Sequence, residues 1–260
     1  MNTAVIPAAL HALAAALVLW RSVHFLSRNR EDRRVILWVF AVTCLLMSDL
    51  YWIIYDLLQP QARMPFAANE ICEGASFLLL AGCLTTVFFG RFGSIRRVEL
   101  GTAAFAAANV LLWIFWSGEW LQDVLIGLAF GYLLCRTAAC MKLCGALRRG
   151  EWIALASLSG LLVLLEAASL LAPERAGALL DAGSTALLFA VLAFFTVGSI
   201  RALRAAGGED RAVSLSFAVF VWSLITLYST EGTRYLAALP CSAAALALML
   251  LALEREVEKL

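Results

Sequence analysis

Residues 35–58 read VILWVFAVTCLLMSDLYWIIYDLL, an apolar run interrupted by only two charged side chains, Asp49 and Asp56. A helix rises about 1.5 Å per residue and the hydrocarbon core of a bilayer is about 30 Å thick, so roughly 20 apolar residues cross it. The run is therefore long enough to span a membrane as one helix. Its carboxylates are unexpected, because a lone charge near the bilayer centre costs about 2.5–3.5 kcal/mol on insertion scales.

Similar apolar runs recur along the whole chain of 260 residues. Hydrophobic residues make up 63% and charged residues 15%, whereas about a quarter of the residues in soluble domains are charged. The approximate bounds of the predicted spans are 4–20, 35–58, 66–90, 98–117, 121–141, 152–172, 176–200, 212–230 and 235–253. We therefore predict an all-α polytopic transmembrane helix bundle of about nine spans. Residues 1–260 form a single transmembrane domain in this prediction, with no soluble domain.

Two parts of this scheme need a choice between alternatives. The first apolar run is followed by positive charges at Arg21 and Arg28, whereas a signal peptide has them in front. We therefore expect this run to be a retained span. The last two spans, on either side of residues 231–234, are expected to be separate, but they could instead form one broken or re-entrant element.

Positive charges alternate between the two sides of the predicted bundle. Of the 20 Lys and Arg residues, only Arg63, Arg175 and Arg234 lie in even-numbered connections, and the remaining 17 lie in or next to odd-numbered connections, with Arg136 just inside the fifth span, or after the last span. Because cytoplasmic loops retain positive charge, we predict that the N-terminus is outside and the C-terminus cytoplasmic, in a bacterial-type plasma (inner) membrane. A formal net charge of +1 without a basic block favours no nucleic-acid partner.

Acidic residues gather near the predicted outer face, where no Lys or Arg within a span can pair with them. They are Asp49, Asp56, Glu70, Glu73, Glu119, Asp123, Glu166, Asp181 and Glu231. Those in spans three, five and seven fall near predicted helix starts, where the helix dipole favours negative charge. These are Glu70, Glu73, Asp123 and Asp181. Glu119 and Glu231 fall in predicted loops.

The helix dipole does not account for Asp49, Asp56 and Glu166, which lie towards the C-terminal ends of outward-running spans. Asp49 and Asp56 are seven residues apart and return to nearly the same helix face. One explanation is that a protonated carboxyl joins neighbouring helices by a hydrogen bond. The other is a cavity that binds a cation. For that cavity the candidate ligand- or ion-binding residues are Asp49, Asp56, Glu166, Trp52, Tyr55, Glu73, Asn109 and Asp181.

Several kinds of chemistry lack the residues that they require. His11 and His24 are the only histidines, which excludes paired axial haem ligands and His-rich metal sites, and His11 is expected to be a packing residue. The seven cysteines show no paired spacing. We expect no cofactor, metal site or catalytic residue. Gly127 and Gly131 form a Gly-x-x-x-Gly pattern, which predicts close helix packing.

Three functions fit these observations. The first is a small secondary transporter or permease that binds a cationic solute or a coupling ion, H⁺ or Na⁺, in an outward-opening acidic cavity. The second is a receptor-like sensory or accessory subunit. Residues 253–260, LEREVEKL, resemble the linkers that join bacterial membrane sensory modules to kinases, so we expect such a subunit to bind a separate partner through its C-terminal helix. The third is a membrane-embedded enzyme that acts on a lipid or isoprenoid.

Overall fold

The computed structural model describes residues 5–58, 68–91, 96–117, 120–229 and 232–259, and within these ranges the chain is helical without strands. Each helix is long and apolar enough to cross a membrane. The predicted all-α class and the nine apolar helices are thereby confirmed. The helices are α1 (Val5–Arg28), α2 (Arg33–Leu58), α3 (Ala68–Val87), α4 (Arg96–Ser117), α5 (Trp120–Leu143), α6 (Arg149–Leu171), α7 (Glu174–Arg204), α8 (Glu209–Tyr228) and α9 (Gly232–Glu258).

The last two spans are separate helices. Helix α8 has 20 residues, and α9 has 27 and continues through Pro240. Each is long and apolar enough to cross a membrane, which favours two separate spans over one broken or re-entrant element. Helix α1 also extends further than the prediction, to Arg28, because polar residues continue the helix beyond the apolar run. One of them, Arg21, pairs with Glu254 on α9 at 2.6 Å.

Ion pairs collect at one end of the bundle, which we name the paired end. Consecutive helices run in opposite directions, so α1, α3, α5, α7 and α9 all end there while the other helices begin there. The pairing of Arg21 with Glu254 joins the ends of α1 and α9, and the Cys83 thiol of α3 contacts the Arg34 carbonyl of α2. Among the described residues, the Lys and Arg ion pairs at this end include Arg21–Glu254, Arg34–Asp32, Arg91–Asp210, Arg136–Glu99 and Lys259–Glu209.

Helix α8 lies at the centre of the bundle and α6 at its edge. Every residue of α8 from Ala212 to Thr226 is buried, against α7 and α9 and also α5. In α6, Leu162 is the one residue that is buried. A helix with an apolar surface exposed on most sides is expected to face lipid. A carboxylate on α6 can therefore avoid lipid only on its narrow inner side.

The predicted close packing at the Gly-x-x-x-Gly pattern is confirmed. A Cβ atom added to Gly127 would clash with the Val110 side chain, and one added to Gly131 would lie 3.3 Å from Ala106. Helices α4 and α5 therefore approach closely only because these positions lack a side chain. The contact brings the end of α4, with Trp113, next to the start of α5.

Candidate functional site

Two neighbouring cavities lie at the opposite end of the bundle, which we name the cavity end. The large cavity has a volume of 440 Å³ and lies between α4, α6, α7 and α8. The small cavity has a volume of 190 Å³ and lies between α2, α3, α4, α5 and α8. Trp113, Trp116 and Tyr228 line both. These three aromatic residues therefore form a shared wall between two spaces.

Two predicted acidic residues line the large cavity, Glu166 of α6 and Asp181 of α7. They lie close enough for their charges to repel, and the Ser229 hydroxyl lies beside the Glu166 carboxylate. Glu166 Oε1 is buried and has no hydrogen-bond partner in the structure. A buried carboxylate without a partner is unstable unless it takes up a proton or unless water or a ligand reaches it. The large cavity supplies the space for such a ligand.

The shared wall is held in place by aromatic packing. The rings of Trp113 and Tyr228 meet edge to face with their centroids 5.1 Å apart. Phe130 of α5 packs against both, at 5.8 Å from Trp113 and 6.3 Å from Tyr228. The faces of such rings are electron-rich and attract cations. The wall is therefore both rigid and suited to a positively charged ligand on either side.

Carboxylates of the small cavity accept hydrogen bonds from uncharged side chains. Gln122 Nε2 donates to Glu70 Oε1 at 3.0 Å, and the Tyr228 hydroxyl donates to Glu73 Oε1. Asp123 Oδ2 accepts from the Ser117 hydroxyl. These bonds orient the carboxyl groups. The small cavity therefore places three carboxyl groups next to its aromatic wall.

Two buried polar atoms at the small cavity have no partner. Asn69 is 4% exposed and its Oδ1 accepts no hydrogen bond, while Trp113 is 8% exposed and its Nε1 donates none. An unsatisfied buried donor or acceptor costs about 1–3 kcal/mol. Both residues line the small cavity.

Asp49 lies in a separate polar contact between α1, α2 and α9. His11 Nδ1 is 2.9 Å from Asp49 Oδ2, and His11 Nε2 is 3.3 Å from the Ser242 hydroxyl. Asp49 lines neither the large nor the small cavity. Its charge nevertheless acts on Glu73 of the small cavity. The two predicted acids Asp49 and Glu166 thus lie in different environments, linked through Glu73 and Tyr228.

The remaining predicted site residues divide between the two cavities and other positions. Trp52 and Glu73 line the small cavity. Tyr55 stacks on Tyr51 with ring centroids 6.4 Å apart. Asn109 donates to the Phe105 carbonyl at 2.9 Å and lines neither cavity. The side chain of Asp56 lies outside the described part of the structure, although its backbone belongs to α2.

The helix-dipole explanation holds for only part of the acidic residues to which it was applied. Glu70 and Asp123 lie in the first turns of α3 and α5. Glu73 and Asp181 lie beyond the first turn, because α3 and α7 begin earlier than that explanation requires. The dipole effect fades within one turn, so this prediction is wrong for Glu73 and Asp181.

Sequence reasoning did not identify Asn69, Gln122, Trp113 or Tyr228 as site residues. Asn69 precedes Glu70 at the start of a long apolar run, and this pair of polar residues is the one local signal that could have drawn attention to it. Gln122 and Tyr228 become site residues through contacts with α3, which are far away in the sequence. No local pattern predicts such contacts.

A third cavity, of 660 Å³, lies at the paired end between α7, the start of α8 and the turn after α5. Arg201 and Arg211 line it together with Glu151 and Asp210. Arg211 donates to the Ala146 carbonyl, and Asp210 pairs with Arg91. The mixed charges of its wall favour no particular class of ligand.

Comparison of the chain with known protein families, curated proteins and solved structures gives no match.

Proposed function

We propose that the protein is a small secondary transporter of the plasma (inner) membrane that binds a cationic solute in the large cavity. The observation that carries this proposal is Glu166. It lies on α6, the helix at the edge of the bundle, yet its Oε1 is buried at the cavity without a hydrogen-bond partner. Ionisable residues in membrane spans usually line substrate or ion pathways.

Charge and shape of the large cavity favour a cation over a neutral solute. Asp181 adds a second carboxylate across from Glu166, and the shared wall contributes electron-rich rings. Attraction between opposite charges is strong where apolar helices keep the local dielectric constant low. A volume of 440 Å³ falls within the range of about 300–1,000 Å³ typical of small-molecule sites.

The contact between His11 and Asp49 supplies a second element that a transporter requires, a place for a coupling proton. Imidazole is the side chain whose ordinary pKa lies nearest to physiological pH. A proton held between His11 and Asp49 changes the field at Glu73, which is bonded to Tyr228 of the shared wall. We propose that proton exchange here is coupled to solute binding in the large cavity.

The distribution of positive charge supports the orientation. The paired end, which holds most of the Lys and Arg residues, is proposed to face the cytoplasm, with the N-terminus outside. Both cavities then open towards the outer face, where solute is taken up.

Uptake into proteoliposomes tests this proposal. Purified protein is reconstituted, a pH gradient is imposed, and labelled organic cations of increasing size are supplied outside. We expect one of them to accumulate, and Glu166→Gln to reduce its initial rate by about tenfold or more, because the uncharged amide no longer attracts it. Glu99→Gln, the same chemical change at the paired end, is the matched control and is expected to retain the rate. Equal rates in Glu166→Gln and wild type would contradict the assignment.

A second candidate function, a receptor-like sensory or accessory subunit, is favoured by the course of α8. This helix ends at Tyr228 in the shared wall and begins at Glu209, which pairs with Lys259 after α9 at 3.6 Å. A shift of α8 caused by ligand binding near Tyr228 would therefore also move its other end, at Glu209. A partner that co-purifies with the intact chain but not with a chain lacking residues 254–260 would support this function. Uptake by the purified protein alone would contradict it.

A further inference from the structure

We infer that the small cavity is a second binding site, which takes a small primary ammonium ion. It shares the wall of Trp113, Trp116 and Tyr228 with the proposed solute site but does not depend on transport, since it concerns binding at Asn69 and Glu73 of α3. Four features carry the inference: an amide oxygen without a donor, an uncompensated carboxylate, an aromatic wall and the size of the space.

The amide of Asn69 requires a hydrogen-bond donor. The residue is 4% exposed, lines the small cavity, and its Oδ1 has no partner. A carbonyl oxygen can only accept, so the missing group must carry an N–H or O–H. Buried polar atoms in folded proteins are almost always bonded, and an exception at a cavity indicates a water molecule or a ligand.

A bound cation would compensate the charge of the Glu73 carboxylate. It accepts a hydrogen bond from the neutral Tyr228 hydroxyl, and within the described ranges no Lys or Arg pairs with it. The charges of Asp49 and Glu70 act on it from α2 and from its own helix, and His11 acts on it from α1. Two of these three neighbours are acidic. The small cavity is therefore a place where a cation relieves repulsion between carboxylates.

The residues that line the small cavity favour an organic cation over a metal ion. Trp52, Trp113, Trp116 and Tyr228 line it, and their ring faces attract organic cations. Among the residues that the structure covers, no three or more His, Cys, Asp or Glu side chains are grouped so as to hold a metal ion. Quaternary ammonium ions have no N–H to donate to Asn69. A primary ammonium ion offers three donors and a full charge.

The volume limits the ligand to a small one. The space of 190 Å³ is less than half of the large cavity and below the usual range for drug-sized molecules. It still exceeds several times the roughly 30 Å³ that one water molecule occupies in the liquid. An alkylammonium ion of a few carbon atoms fits both limits.

The test uses the full-length protein in lipid nanodiscs and three probes of similar size. These are ethylammonium chloride, its neutral isostere ethanol, and tetramethylammonium chloride, which has the charge but no N–H. Binding is followed by quenching of tryptophan fluorescence and by the rise of the thermal midpoint, since a ligand stabilises the state it binds. We expect ethylammonium to bind at least about tenfold more tightly than either of the other two.

Substitutions test whether ethylammonium binds in the small cavity. Asn69→Leu is expected to weaken ethylammonium binding by about tenfold, and Asn69→Asp, which keeps an acceptor oxygen, to retain it. Asn109→Leu is the matched control, because Asn109 is equally buried and its Oδ1 also lacks a partner, yet it lines neither cavity. The same series in a Glu166→Gln background removes any contribution from the large cavity, and ethylammonium binding is expected to persist there.

The outcomes decide the inference independently of transport. Ethanol or tetramethylammonium binding as tightly as ethylammonium overturns it, as does an equal loss in Asn69→Leu and Asn109→Leu. If Asn69→Leu does not fold, the three probes on the unaltered chain still decide. Failure of uptake with intact ethylammonium binding contradicts only the proposed transporter. Uptake without ethylammonium binding contradicts only the second site.

Discussion

The two ends of the bundle differ in whether their carboxylates are paired with basic side chains. At the paired end, carboxylates such as Glu254, Asp32 and Asp210 each face an arginine. At the cavity end, Glu73 and Glu166 have no lysine or arginine partner in the part of the chain that the structure covers, whereas unsatisfied buried polar atoms occur at both ends, such as Trp113 Nε1 here and Trp152 Nε1 there. Stability explains the first arrangement but not the second. Polar groups kept at a cost in stability are expected at functional sites.

The largest effect is expected on the rate of uptake, which should fall on substitution at the cavity end but not at the paired end. Asp49→Asn removes the charge that His11 contacts at 2.9 Å, and with it the proposed site of the coupling proton. We expect the initial rate of uptake in proteoliposomes to fall by about tenfold or more and to lose its dependence on the pH gradient. Glu254→Gln, which breaks a pair at the other end, serves as the control and should keep the rate within about twofold because that pair is solvent-exposed. Similar losses of uptake rate in Asp49→Asn and Glu254→Gln would show that the two ends do not differ in their importance for transport.

An intermediate effect is expected from Tyr228→Phe, which keeps the ring of the shared wall but removes the hydrogen bond to Glu73. Losing a bond to a charged acceptor costs about 1.5–3 kcal/mol, and each kcal/mol lowers the thermal midpoint by about 2–4 °C in a protein of this size. Differential scanning fluorimetry measures the shift. Tyr132→Phe is the control, since this ring lies under Arg136 at the paired end. Identical midpoints for the two variants would show that the bond does not stabilise the wall.

The smallest effect concerns a single pair at the paired end. Burial raises the pKa of Asp32, but hydrogen bonds and charge from Arg34 outweigh it, so the pKa lies below its ordinary value. A lowered folded-state pKa contributes stability above the unfolded pKa of about 3.9, and this contribution is lost as the pH falls through the folded-state value. Asp32→Asn should therefore cost about 1 kcal/mol at pH 7 and progressively less below about pH 4. Thermal midpoints across that range check this, and a difference that grows on acidification would contradict it.

The fold could be predicted from the sequence because apolar length is a local property. Each of the nine apolar runs is long enough to span a membrane. The helices differ from the prediction only in where they begin and end. Helix α1 extends to Arg28 and α7 has 31 residues, since helical hydrogen bonding continues beyond the apolar part. Local sequence does not show where such polar ends find partners, as Arg21 does on α9.

The candidate site could be predicted only in part, because it depends on contacts between distant helices. Glu166 and Asp181 were predicted and both line the large cavity. Asp49 was predicted to share their cavity, but it lies outside that cavity and contacts His11 of α1. Tyr228 lies 155 residues from Glu73, and nothing in the sequence around either residue predicts their contact. Such pairs follow from how the helices pack, which periodicity does not determine.

The central claim is that the cavity end binds a cation through Glu166, and charge movement tests it most directly. Proteoliposomes adsorbed on a solid-supported membrane are exposed to the transported cation, and the transient current is recorded for wild type, Glu166→Gln and Glu99→Gln. We expect a saturable current in wild type and in Glu99→Gln that disappears in Glu166→Gln. An unchanged current in Glu166→Gln would contradict it.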